Sequence, residues 1–275
     1  MSKNFVIRSE KEEDYKKTEH MVMRAFWNIH GPGCNEHLLV RIIRNSKDYL
    51  PQFSRVVELD GEIVGAIFYT RAKVVDGDKV HEIVTFGPLA IEPTMQNEGI
   101  GRMLLEETFS LVKQVGYPGI CIYGEPQYYP KRGFKTCDHF GITDPEGKNF
   151  DALMAYALDE EAFSKIHGKL YESPDFDACN DIEAIKKMDA EFPAYPKVKI
   201  KEGFLQIYDK HFGVVKAVKG HYYTVKFWEL TLPAVLNEEK FSDDAEVPKE
   251  GDVVLFNFLK DKASVIDSVC NLMEE

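Results

Sequence analysis

The sequence predicts a mixed α/β chain: a mainly antiparallel sheet flanked by helices, followed by a second, small all-β barrel-like domain. Three observations predict it. Over the first 160 residues, hydrophobic spacing alternates between helical and strand periods in the order β-α-α-β-β-β-α-β-α-β-β. From Lys199 onward only strand-like runs punctuated by glycine follow. The 275 residues, 44% hydrophobic and 29% charged, suit one large or two modest soluble domains and exclude a collagen, a disordered chain or a coiled-coil rod. The expected division is an α/β domain over residues 1–160, a connector with a short helix over 161–198, and a small barrel or sandwich of SH3-like or OB-like type over 199–275.

Residues 5–8 read as an opening strand. Residues 10–27 are strongly charged, with Tyr15, Met21, Val22, Ala25 and Phe26 at helical spacing, and the run His30, Gly31, Pro32, Gly33 breaks that helix. A second helix covers residues 36–44, with Leu38, Leu39, Ile42 and Ile43 inward. Strands at 54–59 and 63–69 flank Asp60 and Gly61, a pair that accepts positive φ at both central turn positions and so signals a hairpin. After a turn at Asp76 and Gly77, residues 80–91 form a fourth strand. Gly87-Pro88 interrupts it, and because proline donates no ladder hydrogen bond the pair implies a bulge or an edge. The clearest helix spans 97–116, with Met103, Leu104, Phe109, Leu111 and Val112 as its apolar stripe and Gly116 as C-cap. A short buried fifth strand covers 120–123, and 133–136 and 153–158 are two more. The polar stretch 159–198 holds Pro174, Pro193, Pro196 and a helix at 182–188. The last strand candidates are 203–208, 211–218, 222–230, 252–259 and 264–269.

Charge and cysteines narrow the function classes. With 34 basic and 46 acidic residues the net charge is −12. Divided at residue 170, it is −4 before and −8 after, the opposite of the basic surface a nucleic acid backbone requires. Cys34, Cys121, Cys137, Cys179 and Cys270 are odd in number and widely spaced with no CxxC, which reads as free thiols in a reducing compartment. No apolar run is long enough to span a bilayer, and charges from Lys3 onward interrupt any signal-peptide core, so a cytoplasmic protein without membrane partners is expected.

The informative segment runs from the fourth strand into the long helix: Gly87, Pro88, Leu89, Ala90, Ile91, then Gln96, Asn97, Glu98, Gly99, Ile100, Gly101 and Arg102. Glycines let backbone approach a ligand and adopt positive φ. The first amides of a helix have no internal partner and, with the helix dipole, make a site for phosphate oxygens. There is no Lys-Ser/Thr after the glycines and no G-x-G-x-x-G, so neither a P-loop nor a Rossmann fingerprint is present.

This Gln-x-x-Gly-x-Gly segment resembles motif A of the GNAT superfamily, the Gcn5-related N-acetyltransferases. Tyr128, Tyr129, Pro130, Lys131, Arg132, Gly133 and Phe134 resemble that family's Tyr-x-x-x-Gly-Phe segment, and the variant is most similar to a bacterial branch of N-acetyltransferases. The resemblance covers about residues 3–160 and leaves 199–275 unrecognised. It implies acetyl-CoA as co-substrate and no metal, with the pantetheine arm in a split between the fourth and fifth strands. It implies that Leu89, Ala90 and Ile91 supply main-chain groups to the pantetheine and thioester, that residues 96–102 hold the pyrophosphate, that a backbone N–H of Leu89 stabilises the oxyanion, and that Tyr129 is the general acid to the leaving thiolate. The residues alone already offer the Arg102 side chain as an added charge at the helix start. The reaction implied is direct attack by a small-molecule or peptide amine in a ternary complex.

The sequence departs from that pattern in two places. Some members carry a glutamate on the fourth strand, where Thr85 stands here. Glu82 has the wrong strand parity and His81 is too far along, which leaves a water chain or a desolvated amine. Gly124, Glu125 and Pro126 replace a common asparagine, and Glu125 is either a cation anchor or a solvated carboxylate. Tyr128 is expected in the core or the acceptor wall. Asn28, His30, Cys34, Asn35, Glu36 and His37 gather where the acceptor would enter, at spacings that match no regular metal site. The alternative function is a non-catalytic GNAT-fold protein that binds an acyl-CoA or another ligand. The β-rich tail is expected to be an acceptor-side wall or a homodimer contact.

Overall fold

In the computed structural model, which describes residues 3–199, 210–241, 246–259 and 262–273, the turn signals of the sequence fall where the chain reverses. β1 (Val6–Arg8), α1 (Tyr15–Phe26) and α2 (Glu36–Arg44) lead into a hairpin of β2 (Arg55–Leu59) and β3 (Glu62–Asp76). Asp60 and Gly61 make its turn at φ 53° and 84°, a left-handed pair that suits the twist of the flanking strands. Gly77, at φ 57°, turns β3 into β4 (Lys79–Ile91). There follow α3 (Ile100–Val115), β5 (Gly119–Tyr123), β6 (Lys135–Thr136), β7 (Ile142–Thr143), β8 (Leu153–Ala157), α4 (Glu160–Phe163), β9 (Gly168–Tyr171), α5 (Asp175–Ala178) and α6 (Ile182–Asp189).

These nine strands form one sheet ordered β1-β2-β3-β4-β5-β8-β6, with β9 alongside β3 and β7 alongside β9. All neighbours are antiparallel except β4 with β5 and β7 with β9. Side chains alternate between the faces of a strand. Val84, Phe86, Ile120 and Ile122 therefore pack on one face with Leu104, Leu105 and Val112 of α3. Ile83 and Cys121, of the other parity, pack on the opposite face with Phe163, Ile166 and Leu170. On α3, Thr108 also faces the sheet, and its hydroxyl lies 2.8 Å from that of Tyr69, while Leu111 packs at the margin of the same core.

The stretch 161–198 is more than the connector expected of it. Lys169, Leu170 and Tyr171 of β9 pair with Val75, Val74 and Lys73 of β3. β3 runs on to Asp76, past the reach of β2, and its open edge takes up β9. Four residues are too few for a readable period. Compact units consequently form from Met1–Val22 with Asn35–Lys186, and from Met23–Cys34 with Lys187–Glu275. The helix expected between the fifth strand and Gly133 is one 3-10 turn, Pro130–Arg132, closed by Gly133 at φ 89°.

The first unit also holds a testable ion pair. Arg8 donates to both Asp14 oxygens, at 2.5 and 2.9 Å. That bond, more than anything else, holds the Asp14 carboxyl below its usual range. A depressed carboxylate stabilises the fold above its unfolded pKa of about 3.9 and loses that contribution as pH falls through the lower folded value. Asp14→Asn is therefore expected to lower stability by about 1.5–3 kcal/mol at pH 7 and by progressively less below pH ~4. Urea melts of both proteins across that range check it.

The second unit closes β10 (His211–Lys219), β11 (Tyr222–Phe227), β12 (Leu230–Leu236), β13 (Val253–Asn257) and β14 (Ser264–Cys270) into a barrel ordered β10-β11-β12-β14-β13. β12 and β14 run parallel, so the closure is a Greek key, the OB-like one of the two expected forms. The single strand expected at 222–230 is corrected: Trp228 turns the chain at φ 52°, and β12 begins at Leu230. Pro233, opposite Thr224, disguised β12 in the sequence. The strand expected at 203–208 lies outside the described residues. Pro196 accepts hydrogen bonds from Trp27 Nε1 and Asn28 Nδ2 at 2.9 and 3.0 Å, and Trp27 and Tyr195 both pack on Trp228. Among the described residues no helix is long and apolar enough to cross a membrane.

Candidate functional site

β4 and β5 share a single registered pair, Val84 with Ile120, and then part. The cause lies in β4. Its pairing with β3 shifts register between Ile67 and Tyr69, so that Gly87 and Pro88 together face Phe68. This is the expected bulge, and a bulge bends its strand. Beyond it, Glu92 donates its N–H to Val64 on β3 at 3.0 Å. Backbone groups alternate sides along a strand. Ala90 therefore faces β3, opposite Ala66, while Leu89 and Ile91 turn their main-chain groups into the gap. Of the three residues expected to present main chain there, Ala90 does not. The Ile91 carbonyl accepts from the Gln96 side chain at 3.3 Å.

The gap opens onto the start of α3. Asn97 at φ 62° and Gly99 at φ 85° coil the chain so that Gly99 becomes the N-cap. The amides of Ile100, Gly101 and Arg102 lie in the first turn, where no intrahelical acceptor exists and the dipole is positive. The two glycines serve different purposes. A Cβ on Gly99 would meet nothing within 4 Å, so its φ alone requires glycine. A Cβ on Gly101 would stand 2.6 Å from the Tyr128 hydroxyl. Arg102 is exposed and its Nε donates to Glu106 at 2.6 Å. Glu98, the carboxylate within the turn, is ion-paired with Lys3 at 2.6 Å. Main-chain donors, open space and a neutralised carboxylate suit a diphosphate.

Past β5, Gly124 makes room for an aromatic. A Cβ there would stand 2.6 Å from the Tyr129 ring. That ring packs on Phe86 and Phe134, with centroids 5.9 and 5.2 Å away, and so lies at the end of β5 on the α3 side of the sheet. Tyr128 meets it edge-on at 5.0 Å. Its hydroxyl reaches Gly101, and the Arg132 guanidinium lies 3.5 Å above its ring. Burial raises the Tyr128 phenol, and Arg132 offsets part of that rise. Tyr128 thus packs against the core on the α3 side, one of the two places expected of it.

The opposite face of the split carries a group that sequence reasoning missed. Thr85, buried and one residue before Phe86, donates to Glu172 Oε1 at 2.9 Å. Glu172 directly follows β9, which positions it. Burial pushes its carboxyl up to about 7, with Asp177 raising it further and Thr85 pulling it down. A carboxylate from another element thus stands against Thr85, the position where the resemblance implies a strand-borne glutamate. The signal available in the sequence was Lys169, Leu170 and Tyr171, whose alternation is too short to read as a strand.

Several of residues 28–37 have local partners of their own. Asn28 is buried at φ 62° and its Oδ1 accepts from the Gly33 amide at 2.9 Å, closing its own loop. His37 is buried on α2. Glu36, whose carboxyl burial pushes up to about 7, accepts from the Asn35 amide at 3.1 Å. Glu125 accepts from the Gln127 amide at 3.1 Å in an exposed turn. Among the described residues no group of three or more His, Cys, Asp or Glu side chains is arranged to hold a metal ion.

No protein-family model matches the chain. It is 28% identical over 102 residues to the uncharacterized N-acetyltransferase YjhQ of Escherichia coli strain K12, a match covering 36% of this chain and 55% of that protein. It is 22% identical over 109 residues to the uncharacterized N-acetyltransferase YhbS of the same strain, covering 40% of this chain and 64% of that protein. The chain thus spans between about half and just under two thirds of the curated relatives it matches. The crystal structure of the Escherichia coli GNAT family N-acetyltransferase YhbS in complex with CoA superposes with TM-score 0.57 at 20% identity, over 64% of this chain and 94% of that one. The α/β sheet of this chain has the GNAT fold. A GNAT family acetyltransferase from Brucella melitensis, crystallised with acetyl-CoA, superposes with TM-score 0.50 at 22% identity, over 64% of this chain and 99% of that one. These likenesses show the fold of the sheet and its helices.

Proposed function

We propose that the protein transfers an acetyl group from acetyl-CoA to a primary amine by direct attack within a ternary complex. The observation that carries this reading is the splayed β4–β5 pair opening onto an amide-lined helix start, with the main-chain groups of Leu89 and Ile91 turned into the opening. Bound there, acetyl-CoA would supply a thioester, an acyl group already activated for attack. Leu89 donates its N–H to the developing oxyanion, and Ile91 pairs with the pantetheine amides as an added strand would. The turn at residues 96–102 holds the diphosphate through the amides of Ile100, Gly101 and Arg102, with Gln96, Asn97, Glu98 and Gly99 shaping it. Tyr129 protonates the leaving sulfur from the α3 side. The five unbridged cysteines suit work in a reducing cytoplasm.

The non-catalytic reading drew its support from the missing strand-four carboxylate and from the extra β domain, and Glu172 on Thr85 answers the first of these. The expected result is CoA release from acetyl-CoA in the presence of at least one member of a primary amine library, with coenzyme A raising the melting temperature. Thermal protection by coenzyme A without thiol release from any amine would favour the binding protein.

A further inference from the structure

Resting on the transferase reading, we infer that Glu172, held by Thr85, takes the proton from the acceptor ammonium. Three observations place it. First, Thr85 and Phe86 are successive residues of β4 and point to opposite faces. Phe86 carries the ring that touches Tyr129, and Thr85 carries the bond to Glu172. Acid and base therefore reach the same step of the splayed strand from opposite sides, with the gap for the thioester between them. Second, Thr70 stands directly across from Thr85 on β3 and its hydroxyl is buried with no hydrogen-bond partner. Cross-strand partners share a face, so a second polar group is available beside the carboxylate. Third, Glu172, with Tyr171, Ser173 and Pro174, borders a cavity of about 300 Å³, large enough for a small amine.

The surroundings keep this carboxylate in a useful range. Burial raises it to about 7, near the operating pH at which a base is most effective. Asp177 of α5 adds to the rise, and the Tyr123 hydroxyl and Cys121 thiol of β5 stand close enough to feel its charge. Around the cavity, Lys73 lies over the Tyr171 ring, Arg71 donates to the Lys47 carbonyl at 2.8 Å and Asp48 accepts from Ser173 at 3.1 Å, while Glu82 completes the charged lining.

Glu172 accepts one proton from the ammonium, and the freed nitrogen pair forms the C–N bond at the thioester carbonyl. On collapse the C–S bond breaks, its electron pair leaves with sulfur, and Tyr129 gives sulfur its phenolic proton. The second nitrogen proton returns to Tyr129 through water, and Glu172 releases its proton to solvent.

The test uses the full chain, acetyl-CoA, and spermidine, tyramine, glycinamide, hydroxylamine and water as acceptors, followed by CoA release. The wild type should lose kcat/KM as pH falls below about 7, where Glu172 becomes protonated. Glu172→Gln should lower kcat/KM at pH 7 by about 10²-fold or more for the alkaline amines. It should keep coenzyme A affinity, and should spare hydroxylamine, which is already neutral. Thr85→Val, which deletes a bond that favours the carboxylate, should move the limb of the pH profile upward, a response that loosened packing would not give. Turnover of Glu172→Gln within threefold of wild type, or the same pH limb in both proteins, overturns the assignment and leaves the transferase reading standing. A wild type that binds coenzyme A but transfers to neither amine nor water overturns both.

Discussion

Gly101→Ala is expected to destabilise the protein, against the usual direction for that change in a helix. Alanine ordinarily gains about 1 kcal/mol over glycine in a helix interior. Here its Cβ would stand 2.6 Å from the Tyr128 hydroxyl, closer than packed atoms approach. Tyr128 cannot swing aside freely, since Arg132 lies over its ring and also donates to its carbonyl at 3.0 Å. Overpacking of this kind typically loses about 1–3 kcal/mol, which exceeds the propensity gain. The sign should reverse in a Tyr128→Phe background. Deleting the hydroxyl leaves the ring carbon that bore it at 3.7 Å, an ordinary contact, and Gly101→Ala should then stabilise by up to about 1 kcal/mol. Urea melts of the four proteins measure the coupling, expected at about 1–3 kcal/mol. Coenzyme A affinity should fall in Gly101→Ala and recover in the double variant, because the displaced Tyr128 adjoins the amide turn. An additive cycle would mean that the tyrosine yields without resistance and that Gly101 is there for ligand approach alone.

Gly99 and Gly101 also show how much of the site could be read from the chain. Their spacing marked the helix start and the phosphate turn, because a helix start with glycines has local physics that sequence records. The spacing could not say that one glycine answers to φ and the other to a tyrosine 27 residues on. Likewise Gly87-Pro88 announced the bulge, since proline's missing donor is a local fact, and Asp60 with Gly61 announced the hairpin. Glu172 was not legible. Its meaning depends on β9 adding to the free end of β3, a contact across about a hundred residues of chain between two segments that each look unremarkable. β12 hid for a related reason: Pro233 argues locally against a strand, and only the closed barrel accommodates it. Local backbone chemistry was readable, then, and long-range pairing that brings one side chain to another was not.

Tyr129→Phe should lower kcat by about 10²–10⁴-fold while leaving the KM for acetyl-CoA within a few-fold of wild type. The two parameters separate because the ring and the hydroxyl do different things. The ring fills the space over Gly124 and packs on Phe86 and Phe134, and phenylalanine keeps those contacts, so the aromatic cluster beneath α3 stays in place. The hydroxyl alone can give a proton to the departing sulfur. An ordinary phenol, with a pKa of about 10, is a weaker acid than an ordinary thiol at about 8.5. Donation therefore has to accompany C–S cleavage, when the sulfur is held beside the oxygen, and position matters as much as acidity. Gly124→Ala tests position by itself. Its Cβ would press on the Tyr129 ring at 2.6 Å and move the hydroxyl without removing it, so kcat should fall although every reacting group is still present. Combined with Tyr129→Phe it should add little further loss, since a hydroxyl that is gone cannot be misplaced. Steady-state CoA release by the three variants reads all of this. Full turnover by Tyr129→Phe would hand the proton to water and reduce Tyr129 to a wall of the split.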